Sequence, residues 1–579
     1  MFRELILTTL EDLKKNGDLP PEVTFEGVVV EPPKDPLHGD MSTNAPLVLG
    51  KKVQKNPRLL AQFLCDVLAA HPEIEKVSIA GAGFVNMTLK PSYWRHCLCQ
   101  VLKEGQDYGR NTYGAGERIN IEYVSANPTG PLHAGHGRVA VVADVVANLL
   151  EASGFEVTRE YYVNDAGGQI DVLARSTLLR YREALGESIS RIPEGYYPGE
   201  YLKEVAHALR EQEGDRWLSV PEEKALAFMG AFSVDFLMKE IRQDLDKIGI
   251  RQDIFTSEAE IHRRGSVDRA IEGLEKEGLV YEGVLERPKD KGAEGWIPTP
   301  LCLFRSTAFG DQKDRPLKKA SGEWTYFAGD IAYHQDKMDR GFSFMINVWG
   351  ADHASHVDRV KAAVQAISGG KATLEVLLAQ IVHFVKDGAP LKMSKRAGTF
   401  VTVRDVVDQI GPDAFRFLMV SRKHDSQFTL NLNQAVEQSK DNPVFYVQYA
   451  HARACSVFRM ARDLFPGQDL SIKALERADL LLLQEEAEFS LIKALADWPR
   501  QLENAAKTRE PHRIVSFLEE VAHRFHSLWN KGTKETVLRF LLPEDLPLTL
   551  ARLALLRGMI FVLASGLGLL GVQPVEEMR

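Results

Sequence analysis

Between Ile119 and Asp165 a β-branched run, INIEYVSA, gives way to helical periodicity from His136 to about Ala152, and a second strand-like run, FEVTREYYVND, follows at once. Strand, helix and strand in that order read as a βαβ crossover, in which the helix carries the chain back over the sheet so that both strands run parallel. That commits the surrounding chain to an open α/β sheet, whose ligands bind beyond the carboxyl ends of the strands. The stretch SANPTGPLHAGHGR stands at such an end, and SFMINVWGADH reads as another parallel strand running into a functional loop.

His133 and His136 fall across the first turn of the helix, where free backbone N–H groups and the helix dipole favour an anion. Both imidazoles can face one bound phosphate chain and donate hydrogen bonds as its charge shifts. Gly135 leaves room for an adenine or ribose to lie against the backbone. The glycine spacing is neither GxxxxGK nor GxGxxG, so this is not a P-loop or a dinucleotide fingerprint. Taken alone, HxxH describes capping or core histidines equally well. About 260 residues further on, LKMSKRAGTF is flanked by KDGAP and by glycine, as a closing loop would be. Lys392 and Lys395 can close over a triphosphate and stabilise charge moving onto departing pyrophosphate, although an isolated KxxK is usually a solvated face.

A chain of 579 residues has room for several domains. Its net charge of -9 excludes a generally basic nucleic-acid coat, so any nucleic-acid contact must be local. Up to about Lys90, helical patterns alternate with strands such as KVSIAGAGFVNMTL, an α+β pattern, while residues beyond about Gln434 show helical patterns only. There, Tyr449 and Arg453 lie four apart on one predicted helix face. They can stack on and bond to unpaired bases, with core packing the alternative for Tyr449. The five cysteines lack zinc-site spacing, which predicts reduced thiols, no structural metal and a cytosolic compartment. MFRELILTTLEDLKK interleaves charges with apolar residues, unlike a signal peptide, and GMIFVLASGLGLLGV is short for a bilayer span, so it predicts a buried C-terminal helix and no membrane partner.

The pair HAGH and KMSK, in this order and with a βαβ unit at the first, resembles the class I aminoacyl-tRNA synthetases. IEYVSANPTGPLHAGHGR, YYVNDAGGQI, EGYYPGEY, GDQKDRPLKKASGEWTYFAGDIAYHQDK, WGADH, LKMSKRAGTFVTVRDVV, GPDAFRFLMVSR and DNPVFYVQYAHAR are similar to the blocks of bacterial arginyl-tRNA synthetases. NLN at Asn431 to Asn433 departs from that pattern, which commonly has acidic residues there.

The resemblance implies an α/β fold class. It places an added α+β domain touching the tRNA elbow at 1–112 and a Rossmann-type parallel-sheet catalytic domain at 113–380, with an insertion at about 180–320. A KMSK loop and stem-contact region follows at 381–434, and an α-helical anticodon-binding domain at 435–579. It further implies ATP-dependent attachment of L-arginine to tRNA(Arg) through an arginyl-adenylate, releasing AMP and pyrophosphate, with magnesium carried by ATP, in a cytoplasmic monomer. His133, His136, Lys392 and Lys395 become catalytic, and Gly135, Gly350, Asp352, His353, Met393 and Ser394 complete the ATP site. A guanidinium calls for carboxylates and a hydroxyl; the resemblance puts Glu122, Tyr326 and Asp330 there, Asn127 on the amino acid's α-amino and carboxylate groups, and Asp165 and Gln169 nearby. Asn86, Tyr449 and Arg453 become tRNA contacts. The rival readings are a class I ligase or nucleotidylyltransferase with another substrate, and a tRNA-binding paralogue without catalysis; the acidic candidates and the two intact motifs favour arginine charging.

Overall fold

The computed structural model describes residues 2–285, 298–391, 401–439 and 441–578; Lys392, Met393, Ser394 and Lys395 lie outside the described residues. The chain parts into two compact units, residues 1–108 with 456–497 and 523–562, and residues 109–455 with 498–522 and 563–579. Helical periodicity alone predicts one domain over 435–579, whereas the compact units share those helices between them.

In the first unit β1 (Val30–Glu31), β2 (Met41–Thr43), β3 (Ile74–Ala80) and β4 (Phe84–Leu89) form an antiparallel sheet in the order β1-β2-β4-β3. The helix Pro57–Ala69 packs on it and starts cleanly, with Pro57 at its first position and Asn56 accepting a hydrogen bond from the Arg58 N–H. Asn86 stands on the inner strand β4 opposite Ser42 and Ser78 and is 4% exposed. Its side chain is buried within the module, whereas Phe84, where the strand begins, is 43% exposed. Among the helices of this unit, buried Arg552 bonds Glu488 at 2.7 Å and the carbonyls of Val537 and Arg539 at 2.6 and 2.7 Å, so its charge is satisfied inside the core. The helix Leu546–Leu570 has 25 residues and is long enough to cross a bilayer, unlike the short run expected; 78% of its most apolar window is buried within the protein, as a core helix requires.

The second unit is built on a parallel sheet. Strands β5 (Arg118–Tyr123), β6 (Glu156–Val163) and β7 (Ile254–Ser257) come first in the chain, followed by an antiparallel trio, β8 (Val280–Gly283), β9 (Leu301–Phe304) and β10 (Arg315–Pro316). β11 (Phe344–Gly350) and β12 (Thr373–Ala379) complete the parallel sheet in the order β12-β11-β5-β6-β7. A smaller sheet holds β13 (Val382–Lys386), β14 (Ala389–Pro390) and β15 (Phe428–Asn431). From β5 the chain crosses through helix α1 (Ala134–Ala152) to β6 and β7, then returns to β11 on the other side of β5. The order therefore reverses between β5 and β11, and a crevice opens beyond Tyr123 and Gly350, where an open α/β sheet binds its ligands.

Helix α1 is buried along nearly its whole length, so its residues are small or β-branched and its glycines mark close approaches. A Cβ on Gly137 would stand 2.4 Å from the Phe415 ring. Gly137→Ala gains up to about 1 kcal/mol of helix propensity but overpacks this contact at about 1–3 kcal/mol. A lower calorimetric unfolding temperature is expected, by about 2–4 °C per kcal/mol lost; an unchanged one would show that the ring yields freely.

Candidate active site

Beyond β5 the backbone turns through Val124 at φ 69° and Ser125 at φ 41°. A β-branched residue rarely adopts the left-handed region, so neighbouring bonds must hold this turn. Ser125 Oγ donates to Glu122 Oε1 and accepts from the Tyr162 N–H, both at 3.1 Å. The Tyr161 hydroxyl donates to the Ala126 carbonyl at 2.8 Å and that of Tyr201 to Thr129 at 2.5 Å. The strained turn presents Asn127 as an exposed residue on its crest.

The next turn brings His133 to the N-cap of α1 in extended conformation, without a side-chain cap. Its imidazole stacks on that of His136, with ring centroids 3.5 Å apart and planes at 20°. A Cβ on Gly135 would lie 3.0 Å from the His133 ring, so the glycine expected to make room for a nucleotide also admits the stacked pair. Residues just beyond the second motif join the same backbone: the Val401 carbonyl accepts from the Ala134 N–H at 2.8 Å, His133 and Thr402 form an antiparallel bridge, and Val403 N–H donates to Leu132 at 2.8 Å. On the other flank, Leu391 N–H donates to Phe384 of β13 at 2.8 Å. The described chain beyond the second motif thus begins, at Val401, bonded to the histidine turn itself. Across the crevice, Gly350 ends β11; its hypothetical Cβ would come within 2.5 Å of Asp352 Oδ1. Asp352 and His353 are exposed, with their side chains 3.6 Å apart.

An acidic pocket adjoins this crevice. Helix α2 (Glu258–Arg263) follows β7, helix α3 (Tyr326–Asp339) precedes β11, and helix α4 (Val357–Ile367) follows it. Thr325 caps α3, leaving Tyr326 61% exposed on its first turn and Asp330 half-buried one turn later. Burial, then Glu122 and Glu258, push the Asp330 carboxyl up to about 7. Glu258 is missed by the sequence reading. It is 5% exposed, its Oε2 is buried with no hydrogen-bond partner, and burial followed by Asp165 pushes its carboxyl up to about 7. The legible signal is SEAE: Ser257 accepts from the Glu260 N–H at 3.1 Å, the start of a capping motif that sets Glu258 just past the end of β7.

Three candidates bond within the protein. Asp165 accepts from Ser257 Oγ at 2.7 Å and from the Ala259 N–H at 2.8 Å, so each carboxylate oxygen holds the first turn of α2. Gln169 spends its amide donor on the carbonyl and side chain of Asn164. Glu122 lies deeper than expected, 5% exposed, with Oε2 bonded to Lys337 Nζ at 2.8 Å and Oε1 to Ser125. Further along the unit, Tyr449 and Arg453 do share a face of helix α5 (Pro443–Leu464): Arg453 lies 4.3 Å over the Tyr449 ring and donates to its hydroxyl, while Phe445 stacks on the same ring. Among the described residues no group of three His, Cys, Asp or Glu could hold a metal ion.

Two neighbouring carboxyls near 7 give a pH dependence for a cationic ligand. Asp330 and Glu258 are ionised above about 7 and protonate below it, and a cation binds the ionised form. Arginine affinity measured by calorimetry is expected to be constant above about pH 8 and to fall as pH drops below 7, by about tenfold per unit for each carboxyl that must lose a proton and so up to about 100-fold per unit for the two. A flat profile between pH 8 and 6 would place the arginine site elsewhere.

The chain is similar to known proteins over its whole length. Residues 1–89 match the arginyl tRNA synthetase N terminal domain, residues 97–453 the catalytic domain of class I (R) tRNA synthetases, and residues 447–578 the DALR anticodon binding domain. The arginine--tRNA ligase of Roseobacter denitrificans is 49% identical over 578 residues, covering 100% of this chain and 99% of that one. That of Cereibacter sphaeroides is 50% identical with the same coverage. The Thermus thermophilus arginyl-tRNA synthetase superposes with a TM-score of 0.74 over 100% of both chains at 22% identity, a likeness of fold.

Proposed function

Because the chain belongs to the arginyl-tRNA synthetase family, we propose that it attaches L-arginine to tRNA(Arg) in two steps at the crevice between β5 and β11. The arginine carboxylate attacks the α-phosphorus of ATP in line; the P–O bond to pyrophosphate breaks, and arginyl-adenylate forms. Magnesium carried in with the ATP would supply positive charge to the departing oxygens. His133 and His136 donate to the phosphate chain from the start of α1, and Lys392 and Lys395 close over the pyrophosphate. Gly350, Asp352 and His353 face the nucleoside. A hydroxyl of the tRNA's terminal adenosine then attacks the activated carbonyl carbon and loses its proton, and AMP leaves. The anhydride is already reactive, so this step needs positioning more than a strong base.

The observation that supports the reading is the cluster of Asp330, Glu122 and Glu258, in which burial and mutual repulsion raise the Asp330 carboxyl and a buried oxygen of Glu258 has no hydrogen-bond partner. Asn127 holds the substrate's α-amino and carboxylate groups, and Tyr326 covers the guanidinium. The N-terminal module reaches the tRNA elbow, and Tyr449 with Arg453 meets anticodon bases. The protein works in the cytoplasm as a monomer. Incubation with purified tRNA, ATP and each amino acid tests this: arginyl-tRNA forms with one AMP and one pyrophosphate per ester. Charging of another amino acid, or tRNA binding without ester formation, would overturn it.

A further inference from the structure

The histidine turn is held from outside its own helix. The Ala134 N–H donates to Val401 and the Val403 N–H to Leu132, so the extended backbone of His133 is bridged to Thr402 with a hydrogen bond on either side. Thr402 then caps the helix Val403–Ile410 through a reciprocal pair of bonds: its Oγ1 accepts from the Asp405 N–H at 3.0 Å, and Asp405 Oδ2 accepts from the Thr402 N–H at 2.9 Å. A displacement of that helix along its axis therefore reaches His133 directly. Val403, Val406, Val407 and Ile410 bury the helix's apolar face, which holds it on the core, but burial is non-directional and leaves the axial setting open.

Arg404 supplies the direction. From the first turn of this helix it reaches the long helix Glu222–Lys247, where its Nε donates to Asp244 Oδ1 at 2.7 Å and its Nη2 pairs with Glu240 Oε2 at 3.0 Å, two carboxylates one turn apart on one face. Asp244 is 2% exposed; burial pushes its carboxyl up, and Arg404 opposes that by hydrogen bond and by charge. Lys247 and Asp408 also link the two helices at 2.9 Å, but both side chains are exposed and such a pair fixes little.

We propose that Arg404 is a positioning residue for adenylate formation: by clamping its helix to Asp244 and Glu240 it fixes Thr402, and through the bridge at Thr402 it fixes where the His133 and His136 rings meet the phosphate chain. The inference rests on the reading of the histidine turn as the phosphate site. Because the two rings stack with centroids 3.5 Å apart, a shift of one carries to the other. The acidic pocket is built on other elements, with Glu122 on β5, Glu258 on α2 and Asp330 on α3, so the clamp acts on the rate and leaves arginine binding alone.

The test separates holding the turn from stabilising the fold. In the full-length protein Arg404→Met breaks the clamp and strands the Asp244 carboxylate in a buried place, which also lowers the unfolding temperature. Single-turnover formation of arginyl-adenylate, at saturating tRNA and ATP, should slow about 10- to 100-fold, the scale of misplacing a reacting group by an ångström or less. Equilibrium arginine affinity, read by calorimetry, should stay within about twofold of wild type. The double variant Arg404→Met with Asp244→Asn removes the stranded charge as well. Its unfolding temperature should return toward wild type while its rate stays slow, because the clamp is still missing. An arginine that only stabilises the fold would give the opposite pattern, with rate and unfolding temperature recovering together. The proposal is overturned by that pattern, by a wild-type rate in Arg404→Met, or by arginine affinity falling in step with the rate. Should Arg404→Met not fold, the double variant decides: a slow rate with intact arginine binding supports the proposal, and a wild-type rate or failure to fold overturns it. Adenylation at the wild-type rate by His136→Ala would instead overturn the reading of the histidine turn, whatever Arg404 does.

Discussion

Replacing His136 with alanine lowers the single-turnover rate of arginyl-adenylate formation by about 100- to 1,000-fold, the scale of losing one preorganised donor to developing charge. Arginine binding at equilibrium changes little, because the acidic pocket lies on other elements. The rate is read at saturating tRNA, so that any dependence of activation on tRNA is held constant. The stacked geometry adds a control: with centroids 3.5 Å apart, removing His136 also frees the His133 ring. His136→Phe keeps an aromatic surface under His133 but donates nothing. If both variants are equally slow, the donor function is what was lost; near-wild-type rates with phenylalanine would reduce His136 to packing.

What the sequence makes legible here is what period and order encode. The β-branched runs around a helical stretch read directly as β5, α1 and β6, and the histidine turn follows because a βαβ unit must place its loop at a strand's carboxyl end. Tertiary pairing is harder to read. Glu122 and Lys337 are 215 residues apart, so no local pattern shows that the carboxylate already has a cation. Glu258 looks like an ordinary acidic residue opening a helix, and only burial against Asp165 and Asp330 sets it apart. The departure at NLN becomes intelligible in the same way. Asn433 Nδ2 donates to Asp387 Oδ1 at 2.9 Å while its own Oδ1 accepts from the Asp387 N–H at 3.0 Å. A carboxylate at 433 would face that of Asp387 and lose the donated bond. Asp387 and Gly388 have φ of 52° and 76°, the primed turn that an Asp-Gly pair favours between β13 and β14.

Asp330→Asn weakens arginine binding by about 2–5 kcal/mol, the cost of removing one partner from a desolvated charge pair. Asparagine keeps the shape and leaves the Thr325 cap and the backbone bond to His334 in place. What it removes is charge, so citrulline, the neutral isostere of arginine, loses far less. The sign of the pH dependence sharpens the test. Wild-type Asp330 is itself protonated below about 7, so the gap between the two proteins is full near pH 8 and closes as pH falls toward 5.5. Stability should move the other way. A carboxyl whose folded pKa of about 7 lies above its unfolded value of about 3.9 costs the fold stability as pH rises between them, and that cost is complete above 7. The unliganded variant should therefore be at least as heat-stable as wild type at pH 8 while binding arginine poorly. Calorimetry with both ligands at two pH values separates the cases: equal losses for arginine and citrulline, with a lower unfolding temperature, would mean that Asp330 supports the fold and that the guanidinium is held by Glu258 and its neighbours.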